Sequence, residues 1–283
     1  MIGSASTGPV SLQAFGRTVA DARDGQRGAA ASARATGVHD VDRQPADLRS
    51  CYKVTMGFGR SFYRAAAGCS MVSAVTTLGL IFLPLWYSTG DGFEARIARV
   101  GNPLYQLRAW MYLVHPFLTL TSGLAIAVRV RTIAPARALL GGLGFVLWGF
   151  TEAFQQCLTL FAFDPWRRAY LAGDAVQRAQ LPAQVALYDG LWDALYALLL
   201  IGFAIGNLLL GLALLRGGRL TRAIGVLLLA ACALTINNLS GELHGPTLTG
   251  APAMWVYALL QPAARALIAV WLWRAARETD ELP

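Results

Sequence analysis

Six apolar runs, each about as long as a lipid bilayer is thick, constrain this chain more than any other feature. They fall at residues 66–88, 109–128, 138–163, 187–215, 220–240 and 254–273. A helix needs about 20 mostly apolar residues to cross about 30 Å of hydrocarbon. Lipid offers no partner to backbone N–H and C=O groups, so a spanning segment is a helix or part of a closed barrel. Barrel strands alternate over about 10 residues; these runs are continuous and longer. The expected fold is all-α: a polytopic membrane protein built as a bundle of six transmembrane helices.

Composition agrees. Of 283 residues, 55% are hydrophobic and 14% charged, against about 25% charged in an ordinary soluble domain. The formal net charge of +8 would suggest nucleic acid in a soluble protein. Here the basic residues flank the runs, so they bear on topology; the expected partner is the lipid bilayer, and no nucleic acid. Basic residues gather at cytoplasmic span ends. With the N-terminus inside, Lys53, Arg60, Arg64, Arg129, Arg131, Arg137, Arg216, Arg219, Arg222, Arg274 and Arg277 lie on the inner side. They outnumber Arg96, Arg99, Arg108, Arg167, Arg168 and Arg178 on the outer side. This predicts N-in, C-in and a multi-pass protein of a bacterial-type plasma (inner) membrane.

Residues 1–55 are rich in Ala, Gly, Ser, Arg and Asp without sustained periodicity. Such a segment buries too little apolar surface to offset its ordering entropy, so it reads as a disordered arm. An alternative is that translation starts at Met56, making the arm a mis-assigned start. Residues 56–283 then form the transmembrane domain. Cys51, Cys69, Cys157 and Cys232 show no metal-ligand spacing, and neither a disulfide nor a redox role is expected.

The outer connections read as partly helical. Phe93, Ile97 and Val100 recur as on a short helix at the headgroup level, and Asp164-Pro165 reads as a cap with a first-turn proline. Trp86, Tyr87, Trp110, Trp166, Tyr170, Trp271 and Trp273 fall near span ends, as an aromatic belt would.

The polar residues inside the runs point to a site. An ionisable residue at membrane depth costs about 2.5–3.5 kcal/mol on insertion scales and faces the bundle interior or a wet cavity. Trp148, Glu152, Gln155, Gln156 and Thr159 share one helical face; so do Asp189, Asp193 and Tyr196. The second run carries Tyr112, His115, Thr119 and Ser122, the fifth Thr235, Asn237, Asn238 and Glu242 with His244 beyond, and the sixth Tyr257, Gln261 and Arg265. The first contributes Ser70, Ser73 and Thr77. Glu152 and Arg265 each lie about eleven residues from the outer end of their spans, hence about 16 Å deep at 1.5 Å per residue. Either alone would be an uncompensated buried charge, so an ion pair between them is expected. The polar groups define an outward funnel with Glu152 and Arg265 as its floor. Asp193, His115, Gln156, Asn238 and Gln261 complete the candidate ligand-binding set. Below them, Asn207 is the main polar interruption.

Other chemistry finds little. His115, His244, Glu152, Asp193 and Glu242 supply metal donors on one side of the membrane, but without any local ligand motif. No nucleophile elbow occurs, and Gly141, Gly142 and Gly144 open a span rather than a strand-to-helix phosphate loop. No cofactor is expected. Gly202 and Gly206 form a G-x-x-x-G which, with Gly211, signals close helix packing. Inverted repeats of the kind many transporters carry are not evident. Pro84, Pro116 and Pro262 are places where a helix would kink.

Within residues 199–229 the run IGFAIGNLLLGLALLRGGRLTRAIGVLLL joins a Gly-rich span, a short basic turn and a second Gly-started span. With Gly149-Phe-Thr-Glu152-Ala and the closing Arg-rich span, this resembles uncharacterised bacterial six-helix integral membrane proteins grouped under a domain of unknown function. The likeness covers residues 60–275; the long arm and the Gln155-Gln156 pair stand outside the pattern. It implies a six-helix inner-membrane protein and carries no activity or catalytic residue with it.

Three functional readings follow. The first is an outward-facing polar pocket that binds or transports a small polar solute, without being an enzyme. The second is a structural or assembly subunit whose polar residues hold helices together at about 0.6 kcal/mol per hydrogen bond. The third is a metal-assisted intramembrane enzyme.

Overall fold

A computed structural model describes residues 58–87, 92–173, 175–243 and 251–278. Backbone contacts divide the chain between Met1–Met56 and Gly57–Pro283; the expectations about the arm, its start at Met56 and His244 lie outside the described residues. The described residues of the second unit are mainly helical: α1 (Arg60–Phe82), α2 (Pro84–Tyr87), α3 (Phe93–Ala98), α4 (Pro103–Val130), α5 (Pro135–Leu158), α6 (Asp164–Leu171), α7 (Ala175–Leu214), α8 (Arg219–Glu242) and α9 (Ala251–Glu278). A 3-10 turn (Arg99–Gly101) precedes α4, and a π-helical turn (Thr159–Phe163) joins α5 to α6.

Local chemistry sets these boundaries. Asn102 caps α4 by accepting the Leu104 amide at 2.9 Å, and Pro103 fills the first turn, where its missing N–H costs nothing. Pro84 separates α1 from α2. Pro116, Pro182 and Pro262 sit inside long helices.

The six long helices close into a ring. α1 packs on α4, α4 on α5, α5 on α7, α7 on α8, α8 on α9, and α9 back on α1. Short turns join α4 to α5 and α7 to α8, and the α9–α1 contact shuts the ring. The α5–α7 seam is the most extensive, because glycines let the backbones meet. A Cβ on Gly144 would stand 2.7 Å from the Gly206 nitrogen and 2.9 Å from the Gly202 oxygen. The G-x-x-x-G reading of α7 is therefore a real backbone contact.

The surface is inverted relative to a soluble bundle. Val75, Leu107, Phe117, Leu139, Phe150, Phe154, Val226 and Leu259 are exposed. Ser70, His115, Glu152, Gln155, Gln156, Asn207, Gln261 and Arg265 are buried. Apolar outside and polar inside is the arrangement a lipid solvent selects.

Among the described residues, four helical stretches are long and apolar enough to cross a membrane: Arg60–Tyr87, Pro103–Val130, Ala175–Leu214 and Arg219–Glu242. Four of the six expected runs meet this measure among the described residues. α5 and α9 carry polar side chains at depth, Glu152, Gln155 and Gln156 in one and Gln261 and Arg265 in the other. α7, at 40 residues, runs about 60 Å at 1.5 Å per residue, twice the hydrocarbon thickness. Its first turns pack Leu181 and Val185 against Ile97 and Phe163.

Three smaller expectations change. Ile97 and Val100 are buried in protein contacts, so α3 docks on the bundle end rather than lying freely among headgroups. Asp164 is the first residue of α6 and Phe163 occupies the cap position; Asp164 is buried in a polar cluster described below. Trp86, Trp110 and Trp273 are exposed as belt residues would be, but Trp271 is buried and donates to Thr221 at 3.1 Å.

Candidate functional site

The ring encloses a cavity of about 520 Å³ to which all six long helices contribute. At one end lie Phe203, Thr235, Gln261 and Arg265. The middle carries His115 and Tyr112 from α4, Trp148, Glu152 and Gln156 from α5, and Tyr196 from α7. Arg108, Arg96, Arg99, Arg167 and Asp189 line the end that bears α2, α3 and α6. The α5 stripe works as its spacing implies, since Trp148, Glu152, Gln155, Gln156 and Thr159 all line the cavity. The π-helical turn ends that stripe, and Thr159 meets the Tyr188 hydroxyl at 2.8 Å.

The deep groups differ in how they are held. His115 has both ring nitrogens engaged, Nδ1 with Thr76 Oγ1 at 2.7 Å and Nε2 with Thr119 Oγ1 at 3.4 Å. Arg265 donates to Thr119 Oγ1, and its backbone carbonyl accepts from Ser70 Oγ at 2.7 Å. Gln155 Nε2 is tied to the Trp192 carbonyl at 3.1 Å. By contrast, among the described residues no hydrogen bond reaches the Glu152 carboxyl group, and the buried Gln261 Nε2 has no partner. A buried polar group without a partner costs about 1–3 kcal/mol, and more if charged.

The arginine-rich end is built more tightly. Arg96 makes a two-pronged contact with Asp189, one arm at 2.8 Å. That hydrogen bond, first among several influences, raises the Arg96 pKa and keeps it charged. Arg167 and Asp164 form a buried pair at 2.9 Å. Asp164 also accepts from the Tyr105 hydroxyl and from Gln106 Nε2, each at 3.1 Å. Arg167 further reaches Tyr105 at 2.9 Å and the carbonyls of Ile97 and Arg96. Arg108 differs: its partners are neutral oxygens, the Leu80 carbonyl at 3.0 Å and the hydroxyls of Tyr87 at 3.1 Å and Tyr112 at 3.3 Å. It also covers the Tyr112 ring at 4.7 Å.

Of the seven candidate ligand-binding residues, the structure brings Glu152, Arg265, His115, Gln156, Gln261 and Asn238 to one cavity. Asn238 is the most exposed of these and sits at the edge. Asp193 is exposed and does not line this cavity; Asp189, one turn earlier, takes its place. The expected ion pair is a second correction. Glu152 and Arg265 share the cavity, but among the described residues no salt bridge joins them, because Thr119 holds the Arg265 guanidinium. The side chain of Tyr257 lies outside the described set. Among the described residues no group of three or more His, Cys, Asp or Glu is placed to hold a metal ion.

The sequence reading placed Arg265 in the site but missed the other arginines. Arg96, Arg99, Arg108, Arg167 and Arg265 line the cavity against two carboxyl groups, Glu152 and Asp189. Arg108 was legible, since Arg108, Tyr112 and His115 fall at i, i+4 and i+7 on one helical face. Asp164 and Arg167 meet at i, i+3, a spacing too common on exposed helices to signal burial. No known protein family, curated protein or solved structure matches the chain.

Proposed function

We propose that this is a plasma-membrane protein of six crossings, N-in and C-in, whose outward-facing polar pocket binds or transports a small polar solute. One observation carries the reading: a single cavity of about 520 Å³ to which every long helix contributes and which α4, α5, α7, α8 and α9 line with ionisable and amide groups. That volume lies in the range of small-molecule sites. Helix packing alone calls for hydrogen-bonded polar groups, whereas Gln261 Nε2 has no partner and Glu152 lines the cavity with no hydrogen bond from the described residues. Support for six crossings comes from α5 and α9. Their outer faces are as apolar as the others, with Leu139, Leu143, Phe150 and Phe154 on one and Trp255, Val256 and Leu259 on the other exposed. Their polar side chains Glu152, Gln156, Gln261 and Arg265 line the cavity. The arginine-rich end is the outer one, by the excess of basic residues at the opposite end.

The test is single-cysteine accessibility in intact cells, read residue by residue by mass spectrometry with a membrane-impermeant thiol reagent. Gln156→Cys and Asn238→Cys are expected to label from outside, and Asn207→Cys, buried beyond the cavity, to stay unlabelled. Labelling of Gln156→Cys and Asn238→Cys only after the cytosolic face is opened would reject the orientation. No labelling from either side would reject the pocket.

A further inference from the structure

We infer that the ligand of this pocket is amphoteric, carrying an anionic oxygen group that meets Arg108 and a protonated amine that meets Glu152; this rests on the pocket reading above. Three observations converge. First, Arg108 brings a full positive charge to the cavity and, among the described residues, bonds only neutral oxygens. Three of its five N–H donors are used, leaving two to present to a carboxylate or phosphate, the geometry a guanidinium fits best. Second, Glu152 is buried, lines the same cavity and receives no hydrogen bond from the described residues. Third, the buried Gln261 amide nitrogen lining the cavity has no partner, a donor left for a ligand oxygen.

The two charges do not cancel each other. Tyr112, whose hydroxyl accepts from Arg108, lines the cavity together with both. A purely anionic ligand would leave the Glu152 carboxyl group buried and unanswered. A purely cationic one would meet an arginine-rich wall. A molecule with both groups satisfies both ends, and Trp148, Tyr196 and Tyr112 supply aromatic faces for an ammonium near Glu152. Two sources share this chemistry: free amino acids, and the phosphate-plus-ammonium headgroup of phosphatidylethanolamine.

The test uses the purified full-length chain in detergent, titrated calorimetrically with glycine, beta-alanine and gamma-aminobutyrate. Acetate, butyrate, methylammonium and butylammonium serve as single-charge analogues. At least one amino acid is expected to bind about tenfold or more tightly than either of its halves, as loss of a charge-assisted contact implies. Glu152→Gln should abolish the advantage over the acid alone and Arg108→Gln the advantage over the amine alone. Asp193→Asn, exposed and outside the cavity, should change neither. Equal binding of acetate and glycine with Glu152→Gln silent would overturn the amphoteric assignment while leaving a pocket. Binding of none of the series, in detergent or in phosphatidylcholine nanodiscs, would overturn the pocket and this assignment together. Nanodiscs containing phosphatidylethanolamine decide the source: competition with the amino acid supports the assignment with a lipid headgroup as occupant, and undiminished amino-acid binding supports a free solute.

Discussion

Two acid–arginine contacts near the mouth of the cavity differ in what surrounds them, and their energies should differ accordingly. The Asp164 and Arg167 side chains are 1% and 2% exposed, while those of Asp189 and Arg96 are 41% and 36% exposed. Removing one partner of a buried, hydrogen-bonded pair costs about 3–5 kcal/mol, because the other charge is stranded; an exposed pair is worth about 0–1 kcal/mol. Asp164→Ala is therefore expected to destabilise strongly and Arg96→Ala weakly, measured by denaturant unfolding in detergent. Glu152 makes the opposite prediction. It has no hydrogen bond to lose, so Glu152→Leu should leave the thermal midpoint unchanged or raise it while ending ligand binding, the trade-off of a site that stores unsatisfied polarity. A marked fall in the midpoint would instead favour the structural-glue reading.

At the scale of elements, the ring depends on where backbones touch. At Gly144 an added methyl group meets the backbone of Gly202 and Gly206, which cannot yield without moving α7. At Gly79 it meets the terminal carbon of Met111, which can swing away. Overpacking of a rigid contact costs about 1–3 kcal/mol. Gly144→Ala is thus expected to lower stability by that amount and Gly79→Ala to cost clearly less, compared by thermal scans of both purified variants. Equal losses would mean that α5 and α7 can slide apart. The π-helical turn and α6 belong to the same scale: they carry the chain off α5 and bring Arg167 back to the cavity end.

For the whole molecule, the ring closes only when α9 returns to α1, and the cavity exists only inside the closed ring. The contact rests on close packing along α9, with Ala264, Ile268, Leu272, Ala275 and Ala276 buried. Ser70 on α1 reaches the Arg265 carbonyl at 2.7 Å. Ser70→Leu should therefore act at a distance. It is expected to reduce labelling contrast at Gln156→Cys and weaken ligand binding, with helix content by circular dichroism unchanged. Intact binding in that variant would show that the α1–α9 seam is not what shapes the site.

The hydrophobic period and length of the runs determined by themselves that the chain is helical and suited to a bilayer, since backbone groups in lipid have one local way to be satisfied. The α5 stripe and the Gly202–Gly206 contact were equally legible, because residues a turn apart on one helix must share a face. What only the tertiary structure decided is everything that depends on relative helix rotation. That includes Asp189 and not Asp193 facing inward, Arg265 held by Thr119 rather than by Glu152, and Asp164 buried with Arg167 instead of capping a helix. A helical period fixes which side chains travel together. Which way that face turns, and which opposite charges meet across a cavity, is set by packing against neighbours far away in the chain.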